Sequence, residues 1–198
     1  MEAYESVVAV ALEGEEFAVT GPVKFPIEVH VEKQHRTETQ THGFEVDLVA
    51  ARADRLVLAT IKSYFGSRGV VADHVIEAAS DKRNGYRLLN DPPFREQMVS
   101  LAAGRYGYTV DQVRVRLYAG RFAPASGKHE QRIRAWCSQT WVGGGPIEVF
   151  GPHEVAEQLL VTAANTQYRD NPVLAAVKLL LATGHVSAGV SNASSLAR

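Results

Sequence analysis

Two apolar runs, each carrying one misplaced charge, set the terms for this chain. Phe44-Glu45-Val46-Asp47-Leu48-Val49 and Leu56-Val57-Leu58-Ala59-Thr60-Ile61-Lys62 read as β-strands separated by a polar turn. The signal is alternation at period two. On the first run Val46 and Leu48 point one way, and Glu45, Asp47 and Val49 the other. On the second, Leu56, Leu58, Thr60 and Lys62 share a face opposite Val57, Ala59 and Ile61. Both runs are apolar for most of their length, which predicts central rather than edge strands. A carboxylate and an ammonium in such strands must be paired, metal-bound or functional. Asp47 and Lys62 are the residues from which a function is to be read.

This strand–turn–strand resembles the PD-(D/E)XK nuclease superfamily, the fold of many restriction endonucleases and of archaeal-type Holliday-junction resolvases. Its members carry an Asp on one strand, a short hairpin, and a (D/E)-X-K triplet on the next strand. Glu45-Val46-Asp47-Leu48-Val49 is similar to the first strand, and Thr60-Ile61-Lys62-Ser63 to the second. The resemblance implies Asp47 as the central metal ligand, the main-chain carbonyl of Ile61 as another, and Lys62 as the catalytic lysine. Thr60 stands where the family keeps its second carboxylate, a neutral hydroxyl in place of a charge. Glu45, two residues before Asp47 on the same expected face, is the candidate to replace that charge. Resolvase-like members also carry a first-helix Glu that reaches the metal. Glu5, followed by Leu12-Glu13-Gly14 and Phe17-Ala18-Val19, is similar. The other reading of Glu5 is an acid in the first turn of its own helix, favoured by the dipole.

The implied cofactor is Mg²⁺ or Mn²⁺, because hard cations take carboxylate oxygens. The implied activity is metal-dependent endonucleolytic hydrolysis of DNA phosphodiesters. The alternative is a catalytically degenerate nuclease fold, disarmed by Thr60, that binds nucleic acid or serves as an interaction module.

Bulk properties narrow the partners. The 198 residues are 45% hydrophobic, which predicts one α/β domain over residues 1–186, followed by a small, polar and disordered tail over 187–198. No apolar run nears the roughly 20 residues of a membrane span. The acidic start Met1-Glu2-Ala3-Tyr4-Glu5 lacks the basic beginning of a signal peptide. A single cysteine, Cys137, excludes an internal disulfide and suits a reducing cytoplasm. The expectation is a cytoplasmic protein with no membrane partner. Formal net charge is −1, so contact with DNA has to come from a local patch. The candidates are Arg68 in the loop after Lys62, Lys82 and Arg83, with Arg87, beside Tyr86, and Arg114 and Arg116 on one strand face with Arg121 beyond. Each has a plainer reading as an ion pair or a solvated loop charge. His30, His35 and His42 match no zinc spacing, and Gly143-Gly144-Gly145 lacks the Lys-Ser or Lys-Thr of a P-loop.

Periodicity and punctuation order the remaining elements. A helix over 3–13 presents Tyr4, Val8, Ala11 and Leu12 as one stripe, with Gly14 as its stop. A strand over 27–33 is followed by a polar connection over 34–43. After the two central strands come a short helix over 70–79 and a helix opened by Asp91, burying Phe94, Met98, Leu101 and Ala102 and ended by Gly104. A strand over 112–119 precedes a helix over 130–139 flanked by buried Trp136 and Trp141, a flexible glycine loop and a strand over 147–150. Helices over 152–164 and 173–182 close the order, the first with Val155, Leu159 and Leu160 inward. This order predicts an α/β fold with a mixed central sheet and helices on both faces, restriction endonuclease-like by the resemblance. The apolar face of the last helix, with Leu174, Val177, Leu180 and Leu181, offers a homodimer contact.

Overall fold

The computed structural model describes residues 2–33, 36–77, 84–124, 126–165 and 169–187, the side chains of 30–37 and 84 excepted. The expected disordered tail lies outside the described residues from 188 onward. Strands β1 (Ala18–Thr20), β4 (Leu48–Arg52), β5 (Arg55–Lys62), β6 (Val113–Ala119) and β9 (Glu148–Phe150) form a five-stranded mixed sheet in that spatial order. β4 pairs antiparallel with both β1 and β5, and β6 and β9 continue parallel to β5. Seven α-helices are present among the described residues, and none is long and apolar enough to cross a membrane.

Alternation on β5 sends its side chains to two separate cores. Leu56 and Leu58 pack with buried residues of α4 (Pro92–Tyr106) and α5 (Lys128–Gln139). Val57, Ala59 and Ile61 pack with α1 (Ala3–Gly14), α6 (Pro152–Ala164) and α7 (Pro172–Ala182). Gly14 permits the close approach of α1 to α6, because a Cβ there would stand 2.1 Å from Thr162 Oγ1.

The polar run after residue 34 is a strand, not a connection. β2 (Val23–Lys33) and β3 (Arg36–Val46) pair without interruption from Val23↔Val46 to Lys33↔Arg36 as a separate two-stranded ribbon. Thr37, Thr39 and Thr41 recur at period two, and β-branched residues favour the extended chain even where no face is apolar. Phe25 and Ile27 are buried, and Arg105 and Gln97 of α4 donate to the carbonyls of Lys24 and Glu28 at 3.0 and 3.3 Å. These contacts hold the inner part of the ribbon on the helix.

Other elements also depart from expectation. The helix expected over 70–79 is shortened to α2 (Ala72–Ile76), because Val70 forms a bridge with Phe122 instead. α4 runs through Gly104 to Tyr106 and ends at Gly107, which adopts the left-handed conformation with φ 76°. Leu101 is half-buried, and Val99 and Ala103 fill the core beside Met98. The glycine loop belongs to a short hairpin, β7 (Trp141–Val142) with β8 (Gly145–Pro146). Trp141 is 67% exposed and Trp136 half-buried, so neither is a fully buried anchor. Leu160 is half-buried, and on α7 only Leu174 is fully covered, with Leu179 and Leu180 exposed.

The expected arginine face of β6 is internal. Arg116 is buried, and its guanidinium holds Glu15 through two hydrogen bonds of 3.0 Å, Glu148 at 2.6 Å and the Tyr118 hydroxyl at 3.1 Å. The Phe150 and Phe17 rings lie 4.8 and 5.5 Å from it. Arg116 therefore joins the helix-side acid Glu15 to β9 and has nothing left for a phosphate. Removing one partner of such a pair leaves buried charge uncompensated. Arg116→Ala is expected to destabilise the chain by roughly 3 kcal/mol, at the low end for a buried pair because both acids keep some contact with water. Urea denaturation checks this, with a midpoint close to that of the wild type as the contrary result.

Candidate active site at the end of the central strands

The ladder between β4 and β5 ends at Leu48↔Ala59, and the chain bends at Asp47. The expected strand over 44–49 is therefore two strands, with Val46 closing the ribbon and Leu48 opening the sheet strand. Val46 and Leu48 consequently serve opposite cores. Asp47 continues the ladder with its side chain: Oδ2 accepts the Ile61 N–H at 2.5 Å. Lys62 Nζ lies 4.0 Å from the same oxygen. At that separation the two form an ion pair with no hydrogen bond between them. Their side chains are 17% and 23% exposed, so the pair faces a partly solvated space.

That space is a cavity of about 160 Å³. Glu45, Asp47, Thr60 and Lys62 line it together with Gly85, Arg87, Phe94 and Met98. Thr60 is buried at 7% exposure. Lys62 Nζ stands 5.7 Å from the Tyr86 ring centroid, so 85–87 cover the lysine. Burial raises the Asp47 pKa; Lys62 and the Ile61 N–H oppose the shift, and Glu5 and Glu45 add to it, leaving the net effect upward. Burial and the hydrogen bond with Tyr64 also push the Tyr86 phenol upward, keeping it neutral. A larger apolar cleft of about 470 Å³, lined by Tyr4, Val7, Phe65, Pro152, Val155 and Leu159, opens between the starts of α1 and α6. It lacks the convergent charges of the smaller cavity, so size does not select the site.

The other expected site residues fall in different places. Glu5 accepts the Glu2 N–H at 2.8 Å, the closing bond of the α1 cap, and does not line the cavity, although its charge is felt at Asp47. Glu45 does line it, from the last turn of the ribbon rather than from a shared sheet strand. The Ile61 carbonyl points to the Asp47 side of β5, because N–H and C=O of one strand residue share a side. Arg68 and Arg121 are exposed beyond the strand ends on the Lys62 side, where Gly120 N–H bonds the Lys62 carbonyl at 2.8 Å. Arg114 sits near the other end of β6, about 16 Å away along the strands by register, and donates to the Asp111 and Val113 carbonyls. Lys82 and Arg83 lie outside the described residues. Among the described residues no three His, Cys, Asp or Glu side chains cluster closely enough to hold a metal by themselves.

Arg87, which the sequence offered only as one of the basic residues beside Tyr86, belongs to the cavity. It reaches the cavity from α3 (Arg87–Asn90) through its i,i+4 partner Asp91, which caps α4. The Arg-to-Asp spacing was legible, but the position of that pair above β5 is a tertiary fact. No protein-family model, curated protein or solved structure matches the chain.

The raised Asp47 pKa carries a pH signature. Such a carboxyl binds its proton more tightly in the folded chain than at the unfolded value of about 3.9. Its contribution is therefore favourable below that value and lost as pH rises through the folded one. Asp47→Asn keeps an acceptor for the Ile61 N–H and removes the charge. In EDTA, its melting temperature is expected to exceed that of the wild type at neutral pH, with the gain shrinking below about pH 4. Calorimetry across that range checks this, and a variant less stable at neutral pH contradicts it.

Proposed function

We propose that this chain is a metal-dependent nuclease of restriction endonuclease-like fold that hydrolyses phosphodiester bonds in DNA. One observation carries the reading: Asp47 and Lys62, the two charges that apolar strands had to explain, meet at 4.0 Å where the β4–β5 ladder ends. The hairpin between the strands brings an Asp and the third residue of a Thr-Ile-Lys triplet to one cavity, as the motif resemblance implies.

The cavity's donors fit a hard divalent cation. Asp47 and Glu45 bring two carboxylates, Thr60 a hydroxyl, and Ile61 a carbonyl on the Asp47 side of its strand. Mg²⁺ is commonly held by one or two carboxylates while it keeps several waters and binds substrate phosphate, so the missing third acid is no bar. A cation held there supplies charge neutralisation on the phosphoryl oxygens and a more acidic bound water. The Ile61 N–H engages Asp47 Oδ2 and leaves Oδ1 as the oxygen with which Asp47 would hold a cation. Lys62, held by no hydrogen bond to Asp47, is free to orient the attacking water or to offset negative charge developing on the phosphoryl group. Thr60 offers a neutral hydroxyl where a carboxylate would deepen the negative potential.

Purified protein with Mg²⁺ or Mn²⁺ and branched, linear or single-stranded DNA is expected to cleave at least one of them. Asp47→Ala and Lys62→Ala are each expected to lower the rate by about 100-fold or more. Cleavage that survives Asp47→Ala sinks the assignment. In a separate calorimetric titration, Thr60→Glu is expected to tighten Mn²⁺ binding and Glu45→Gln to weaken it. Identical isotherms for both variants and the wild type speak against a metal site.

The second reading, a nuclease fold that binds DNA without cutting it, draws on the buried Thr60 and on the absence of a three-residue metal cluster among the described residues. It predicts steeply salt-dependent DNA binding that needs no divalent ion and no cleavage under any of these conditions.

A further inference from the structure

The cavity that holds Asp47 and Lys62 is also lined by an arginine fixed in place with part of its donor set unused. Arg87 Nε donates to Asp91 Oδ2 at 2.9 Å. Asp91 is itself fixed, its other oxygen accepting the Phe94 N–H at 3.2 Å as the cap of α4. The Arg87 guanidinium lies 4.3 Å from the Phe94 ring centroid and 4.9 Å from that of Phe44. Two rings and one carboxylate therefore set its orientation before any ligand arrives. Among the described residues neither terminal nitrogen of Arg87 has a hydrogen-bond partner, and the side chain is 21% exposed. A guanidinium partly withdrawn from water with donors unpaired is costly unless something accepts from it. The remaining fork, with two parallel N–H groups, suits the paired oxygens of an anion such as phosphate.

We propose that Arg87 forms a phosphate-binding subsite, gripping the non-bridging oxygens of a DNA phosphate while Asp47 and Lys62 act on the scissile one or its neighbour. The proposal rests on the nuclease reading and adds the residue that holds the strand. It also answers a charge problem: Glu45 and Asp47 repel a polyanion, and Lys62 alone offsets only one of them. Arg87 adds a second cationic group to the same cavity; Asp91 offsets part of its charge at Nε, and its terminal nitrogens remain for an anion. A lysine would carry the charge without the fork or the guanidinium contacts with the two rings.

The test is equilibrium binding of a labelled DNA duplex in EDTA over a range of salt, beside cleavage in Mg²⁺ and a thermal melt for each variant. Arg87→Gln is expected to weaken binding about tenfold or more and to lower the log–log salt slope by about 0.9, one phosphate contact. Arg87→Lys is expected to keep the slope and bind more weakly than wild type, a result that a purely structural arginine would not give. Arg55→Gln, at the opposite end of β5 from Lys62, should leave affinity and slope unchanged. Asp47→Asn should bind but not cut. Wild-type affinity and slope in folded Arg87→Gln, or wild-type affinity in folded Arg87→Lys if the glutamine variant does not fold, overturns the subsite. If the wild type still cuts and Asp47→Asn does not, the nuclease reading survives that failure. A wild type that neither binds nor cuts DNA overturns both.

Discussion

The hydrogen bond from the Ile61 N–H to Asp47 is the point on which the arrangement turns. It closes the β4–β5 ladder with a side chain instead of a backbone carbonyl, and it does so where the chain changes sheets. Before Asp47 the chain belongs to the ribbon, and after it to the central sheet. The link from β1 to β2 crosses directly at this bend: a Cβ on Gly21 would stand 2.3 Å from the Asp47 carbonyl oxygen and 3.1 Å from Leu48 Cα. Only a residue without a side chain fits that crossing. The ribbon then carries Glu45 and Phe44 to the cavity, and α4, packed on the ribbon, brings Phe94 and its cap Asp91.

The charge clusters around Arg116 and around Asp47 differ in how completely they are satisfied. Around Arg116 each guanidinium nitrogen is engaged, by Glu15, Glu148 or Tyr118, and two rings cover the group. That cluster is closed and works as a strut between α1, β6 and β9. Around Asp47 the charges are left apart: Lys62 stops at 4.0 Å, and Arg87 commits only its Nε. Burial lifts the Asp47 pKa even with a lysine beside it, so the site still favours added positive charge. An open, partly withdrawn cluster is the form a ligand site takes, whereas a closed one is structural.

Legibility in the sequence follows the range of each interaction. The alternation of β5, the apolar stripe of α1 and the cap and first turn of α4 are local, and each appears where periodicity or punctuation put it. Asp47 and Lys62 were legible because charges in apolar strands demand a reason. The bend at Asp47 was not, because the hydrophobic pattern continues through it and only the side-chain bond to Ile61 ends the ladder. The polar strand over 37–43 was hidden because its signal is β-branching at period two rather than an apolar face. The arginines of β6 looked like a surface because their partners Glu15 and Glu148 are remote in sequence. Arg87 was visible as a charge but not as part of a site, since Phe44 meets it only through the ribbon.

The central claim is that Asp47, Glu45 and Thr60 bound a site for a divalent cation facing Lys62. Anomalous diffraction from crystals soaked in Mn²⁺ tests it most directly, since it locates the ion without relying on turnover. The account predicts one strong anomalous peak in this cavity, within bonding distance of an Asp47 oxygen and lost in Asp47→Ala. A fully soaked crystal with Mn²⁺ bound elsewhere and no peak at Asp47 would contradict it.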